Sequence, residues 1–121
     1  MKYQNYNFFI NQFRDKKRVS CAWEDHEVWI EKKLSPSKWQ LSIKLAEREE
    51  IPLCLLEIFL GRSCFKWQSR GAYLHLDRQT GCMYLIQDVA SVDRYLSFKA
   101  LMQNFTGLAS IWRSSLQESI A

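Results

Sequence analysis

Met83-Tyr-Leu-Ile-Gln87, a short polar link and a helical run from Ser97 to about Ser119 decide the fold. In that run Phe98, Leu101, Met102, Phe105, Leu108, Ala109, Trp112 and Leu116 recur at steps of three and four. This spacing draws one continuous apolar stripe along a helix. None of these side chains is of a catalytic type. The stripe is a platform that needs a sheet to cover it.

The upstream chain supplies the strands. Lys38 to Leu45 alternates most cleanly: Trp39, Leu41, Ile43 and Leu45 point one way, and Lys38, Gln40, Ser42 and Lys44 the other. Before it, Val28 to Leu34 reads as a strand bounded by the turns Glu24 to Glu27 and Ser35-Pro36-Ser37. Val19 to Trp23 is another strand, with Val19, Cys21 and Trp23 on one side. Three strands on short turns predict an antiparallel meander. A first helix covers Asn5 to about Arg14, with Tyr6, Phe9, Ile10 and Phe13 on one face and Asn5 as its cap.

After Ile51-Pro52, where proline suits a first helical position, Leu53 to about Trp67 reads as a second helix. It is apolar on two sides. Leu53, Leu56, Leu60 and Cys64 make one stripe, and Leu55, Ile58, Phe59 and Arg62 the adjoining one. A small domain covers one such stripe with its own sheet; the other is covered by a second subunit or by further wrapping of the same chain. Ala72 to Asp77 and Cys82 to Val89 form a strand pair around Arg78-Gln-Thr-Gly81, and Ser97 is a good cap for the last helix, with Ser91 as an alternative start of an earlier turn. The order is helix, three strands, helix, two strands, helix. That is an α+β domain with a twisted antiparallel sheet, spanning residues 1–121 as one unit.

Composition agrees. Apolar residues make up 47% and charged residues 25% of 121, the balance of a folded globule. No apolar run approaches the roughly 20 residues that span a bilayer, and Met1-Lys-Tyr-Gln-Asn-Tyr6 has no apolar signal core, so a cytoplasmic location and reduced thiols are expected. The net charge is +4, and Arg14 with Lys16-Lys-Arg18 is the tightest basic run. Such a run either attracts nucleic acid or an acidic surface, or is simply a solvated helix end favoured by the helix dipole.

Catalytic signatures are absent. There is no nucleophile elbow, zinc-protease helix, P-loop or dinucleotide fingerprint. Cys21, Cys54, Cys64 and Cys82 are scattered with no C-x-x-C pair, and His26 and His75 complete no ligand set. We therefore expect no enzyme activity, no cofactor and no metal.

The element order and length, with Leu76-Asp77, the Gly81 turn, Met83 to Asp88, and Leu101, Phe105, Ala109, Ile111 and Trp112, carry a resemblance. The chain resembles the class I chaperones of bacterial type III secretion, the Tir-chaperone-like group, including its chlamydial-type members. That resemblance implies a chaperone that binds the N-terminal segment of a secreted effector or gate protein. It also implies a homodimer, or a heterodimer with a second small chaperone, joined through the middle helix and the strand after it: Leu55, Ile58, Phe59, Tyr73 and His75. The aromatics outside the inward stripes, Phe8, Trp23, Trp29 and Trp67, are the expected partner anchors, since burial and strand addition can hold an unfolded segment. Family members are commonly acidic and this chain is basic. A second reading therefore stands: a small basic regulator contacting nucleic acid or the transcription machinery, such as RNA polymerase, through Arg14 to Arg18.

Overall fold

The computed structural model describes residues 3–33, 37–51, 53, 68–69 and 71–120 of the chain. The expected helix from Leu53 to Trp67 lies outside them, Leu53 apart, which is exposed. Helix α1 (Tyr3–Asp15) leads into β1 (Arg18–Trp23), β2 (His26–Lys32) and β3 (Lys38–Ala46), followed by a single 3-10 turn, Arg48–Glu50. Then come β4 (Gln68–Ser69), β5 (Ala72–Leu76), β6 (Met83–Ala90) and the C-terminal helix α2 (Tyr95–Ile120).

All six strands join one antiparallel sheet in the order β1-β2-β3-β6-β5-β4. The meander and the β5–β6 hairpin are thus stitched together by β3 and β6, from Lys38↔Ala90 to Ala46↔Met83, with a bulge between Lys44 and Ala46. β4 is a two-residue addition where the sequence shows only a helix break.

Alternation does what its period requires. Val19, Cys21, Trp23, Val28, Ile30, Trp39, Leu41, Ile43, Leu45, Leu74, Leu76, Met83 and Leu85 all point to one face and are buried. Both helices sit on that face. From α1, Tyr6, Phe9 and Phe13 enter the core; from α2, Phe98, Met102, Phe105, Ala109 and Leu116 do. Phe98 is the hub, with ring centroids 5.1 Å from Tyr6, 5.2 Å from Phe9 and 6.0 Å from Trp23. Aromatic contacts at these separations add to the area that they bury.

Helix ends differ slightly from expectation. α1 starts at Tyr3, so Asn5 lies inside it. α2 starts at Tyr95, ahead of the expected Ser97 cap, and the Phe98 amide donates to the Arg94 carbonyl at 3.0 Å. Packing of Tyr95 against Tyr6, at 5.5 Å, draws the extra turn into the helix. Lys32 closes the other helix: its Nζ donates to the Phe13 carbonyl and, at 3.3 Å, to that of Arg14. A cation is favoured among the last carbonyls of a helix.

The expected four-residue turn at Glu24 to Glu27 is tighter. Only Glu24 and Asp25 turn, at φ +43° and +42°, and His26 already pairs with Trp23. Two consecutive positive φ values follow the twist of a hairpin. At the β5–β6 turn Gly81 takes φ +77° and donates to Asp77 O at 2.7 Å, and a Cβ there would meet Arg48 Cδ at 2.8 Å.

Candidate partner-binding surface

The face away from α1 and α2 is built by the other half of each strand. Register lines up Ser20, Trp29, Ser42, Ile86 and Tyr73 in one row across five strands. A parallel row carries Lys44, Tyr84 and His75. Trp29, Ile86, Tyr73 and Tyr84 are half-buried, so this face is an aromatic and aliphatic band edged by polar groups. Arg18 lies over the Trp29 ring, its guanidinium carbon 4.1 Å from the centroid, a cation–π contact at partial exposure. Partial burial, then the Asp88 charge, raises the Tyr73 phenol above its ordinary range and keeps it neutral.

One end of the sheet gathers cations from distant positions. Antiparallel pairing places the start of β1, the end of β2, the start of β3 and the end of β6 side by side: Arg18↔Glu31, Lys32↔Trp39, Lys38↔Ala90. The Lys32 amide donates to Lys17 O at 2.9 Å, which fixes the basic run beside β2. Two cavities open here, of about 730 and 300 Å³, and Trp39 lines both. The larger also meets Lys33, Lys38, Asp88 and Val89; the smaller meets Arg14, Lys32, Val92 and Asp93.

A third cavity, of about 340 Å³, lies between β3 and the second half of α2 and holds Lys44, Glu47, Glu50 and Arg113. Its ionisable groups are taken up within the fold. Lys44 Nζ meets Glu47 Oε1 at 2.9 Å, and Cys82 Sγ donates to Glu47 Oε2 at 3.1 Å. These hydrogen bonds, Lys44's first, hold the Glu47 carboxyl below the usual carboxylate range. Arg113 donates to Lys44 O at 2.7 Å and to His26 Nδ1 at 3.2 Å. A guanidinium can only donate, so Nδ1 accepts and Nε2–H donates to Ser110 Oγ at 3.1 Å. Burial first, and then the Arg113 charge, lower the His26 pKa, with Asp25 and Glu24 pulling the other way. The chain of contacts latches α2 to the β1–β2 turn. Cys21 is buried, which pushes its thiol up to about 11 and leaves little thiolate.

The expected anchors fall in different places. Phe8 is 66% exposed on α1, and Trp29 stands half-buried on the open face. Trp23 corrects our expectation: it is 2% exposed, because β1 alternation turns it inward with Val19 and Cys21, and it meets Phe98 edge-on. It is a core residue, not an anchor. Its Nε1 has no hydrogen-bond partner among the described residues. Trp67, Leu55, Ile58 and Phe59 lie outside the described residues. Tyr73 and His75 share the open face on β5, near the β4 edge. Ile86, Tyr84 and the cavity around Trp39 went unnoticed in the sequence. Alternation along Met83 to Val89 already separates Tyr84 and Ile86 from Met83 and Leu85. Nothing local announces the cavity, which needs the β3–β6 register.

No protein-family model matches the chain, and no curated protein does. Among solved structures, a chain of the HopA1–SchA chaperone–effector complex superposes on this one with a TM-score of 0.53 over 98% of each chain, at 15% identity. The likeness is one of fold. The chain has a secretion-chaperone-like α+β architecture, as its element order predicts. None of its described helices is long and apolar enough to cross a membrane.

Proposed function

We propose that this chain is a cytoplasmic chaperone of a type III secretion system, of the class I kind. It binds the N-terminal segment of a secreted effector or gate protein and keeps that segment competent for export. The observation that carries the reading is the end-to-end fold likeness to a chain of a chaperone–effector complex.

The surface supports it. β1 is the terminal strand of the sheet, and a terminal strand offers a row of backbone donors and acceptors to an extended segment. The open face offers Trp29, and the neighbouring helix offers Phe8, as apolar anchors. Each well-buried anchor contributes roughly 1.5–3 kcal/mol, and several are needed against the chain entropy that a disordered client loses. The chain works as a homodimer, or as a heterodimer with a second small chaperone, through residues 53–67 together with Tyr73 and His75.

Co-purification from the native host tests the reading. A secreted protein should be captured, and deleting its N-terminal region should abolish capture. Reproducible recovery of a small-molecule substrate, with no secreted partner, refutes it. Light scattering should give twice the 14.4 kDa chain mass, or a chain that is soluble only with its partner. A stable monomer at high concentration would count against the dimer.

A further inference from the structure

The cavity around Trp39 has a charge and a shape that select a ligand. Its floor is apolar: Trp39 and Val89 are cross-strand partners, and Ala90 follows. Its rim is basic. Arg14, Lys32, Lys33 and Lys38 line the two openings, and Lys16, Lys17 and Arg18 stand beyond them. These are seven of the chain's 17 Lys and Arg, brought to one end of the sheet by antiparallel pairing. The fold uses some of them. Lys32 caps α1, Arg18 lies on Trp29, and Lys33 meets Glu31 at 3.8 Å. Arg14 and Lys38 make no ion pair among the described residues. The lining also contains two carboxylates. Asp88 accepts from Gln40 Nε2 at 3.1 Å, and Asp93 borders the smaller opening.

We propose that this end of the sheet binds an acidic peptide segment bearing an apolar side chain. The apolar group rests on Val89 and Ala90, with the buried Trp39 beside Val89, and flanking carboxylates meet Lys33, Lys38 and Arg14. The proposal deepens the chaperone reading and rests on it in one respect, that the segment belongs to the client. A peptide fits better than a nucleic acid. Single strands are held by stacking bases on open aromatic faces, whereas Trp39 is 5% exposed and Arg18 lies over Trp29. Asp88 and Asp93 would also repel a phosphate chain but are tolerated between spaced carboxylates. Exposed cations of this kind steer and select a ligand, and the apolar floor supplies the hold.

Fluorescence anisotropy tests the proposal with three short labelled peptides and one labelled single-stranded oligonucleotide. The first peptide has leucines flanked by aspartate and glutamate. In the second lysine replaces the acidic positions, and in the third serine replaces the leucines. Only the first should bind well. The double variant Lys33→Glu, Lys38→Glu changes exposed residues and should keep its circular dichroism, yet weaken that binding about tenfold. Val89→Asp, at the floor, should weaken it at least as much, and added salt should weaken it steadily. Equal binding of the lysine peptide overturns the proposal. So does unchanged affinity in the double variant, absence of binding by any peptide, or tighter binding of the oligonucleotide. Co-purification separates the two readings. If the double variant still recovers the secreted client in full, the groove proposal fails and the chaperone reading stands. If wild-type protein recovers no client yet binds the acidic peptide, the chaperone reading fails and the groove stands.

Discussion

Trp23 and Trp29 sit on the two strands of one hairpin and meet opposite fates. Trp23 faces α1 and α2, is 2% exposed and lies edge-on to Phe98. Trp29 faces away, stays half-buried and has Arg18 laid across it. The turn at Glu24-Asp25 and the period of the strand separate them, not any difference in side chain. The difference separates the two faces of the sheet. One face is sealed by the chain's own helices and makes the fold. The other carries Trp29, Ile86, Tyr73 and Tyr84, half-buried, and is the face proposed to meet another molecule.

Four substitutions press on that contrast. Trp23→Ala should cost the most, about 3–5 kcal/mol in urea unfolding, as expected for a buried tryptophan cut to a methyl. A loss near that of an exposed site would erase the distinction between the faces. Next is the turn itself. Glu24→Asn with Asp25→Gly relieves two left-handed non-glycine residues and should add roughly 1–2 kcal/mol, read as a higher urea midpoint. Trp29→Ala should lower stability by about 1 kcal/mol or less while reducing capture of the secreted partner. Equal losses of stability at Trp23 and Trp29 would mean that both faces are core.

The smallest effect is one of pH. His26 must be neutral to accept from Arg113, and its folded pKa lies below the ordinary 6.5. The unfolded chain therefore takes the proton first. Stability from this group is present above the unfolded value of about 6.5 and is lost as pH falls from there through the lower folded pKa. Denaturation at a series of pH values should show the slope, and His26→Gln should flatten that part of it. An identical slope in the variant would leave the latch without a titrating member.

Much of this was legible in the residues. Strand alternation at Lys38 to Leu45 and the stripe from Phe98 to Leu116 predicted both sealed surfaces, because burial repeats with the period of the element. The α+β order followed from them. Helix starts were read less well. Asn5 and Ser97 are good caps by type, but tertiary contacts of Tyr95 carried α2 past Ser97. Trp23, expected outside the inward stripes as an anchor, is placed inside by its own spacing from Val19 and Cys21. The cation cluster was legible only as Arg14 to Arg18. Lys33 and Lys38 join it through hairpin register, which no local pattern contains.

The pairing of β3 with β6 has a consequence for how the molecule is made. Lys38 finds its neighbour at Ala90, so one flank of the central strand stays unsatisfied while the ribosome is still decoding the second half of the message. The meander emerges early with a bare margin, and α2, which seals its greasy side, leaves the exit tunnel only after β6. A protein proposed to hold another chain's segment short of its fold thus spends much of its own synthesis with its sheet incomplete.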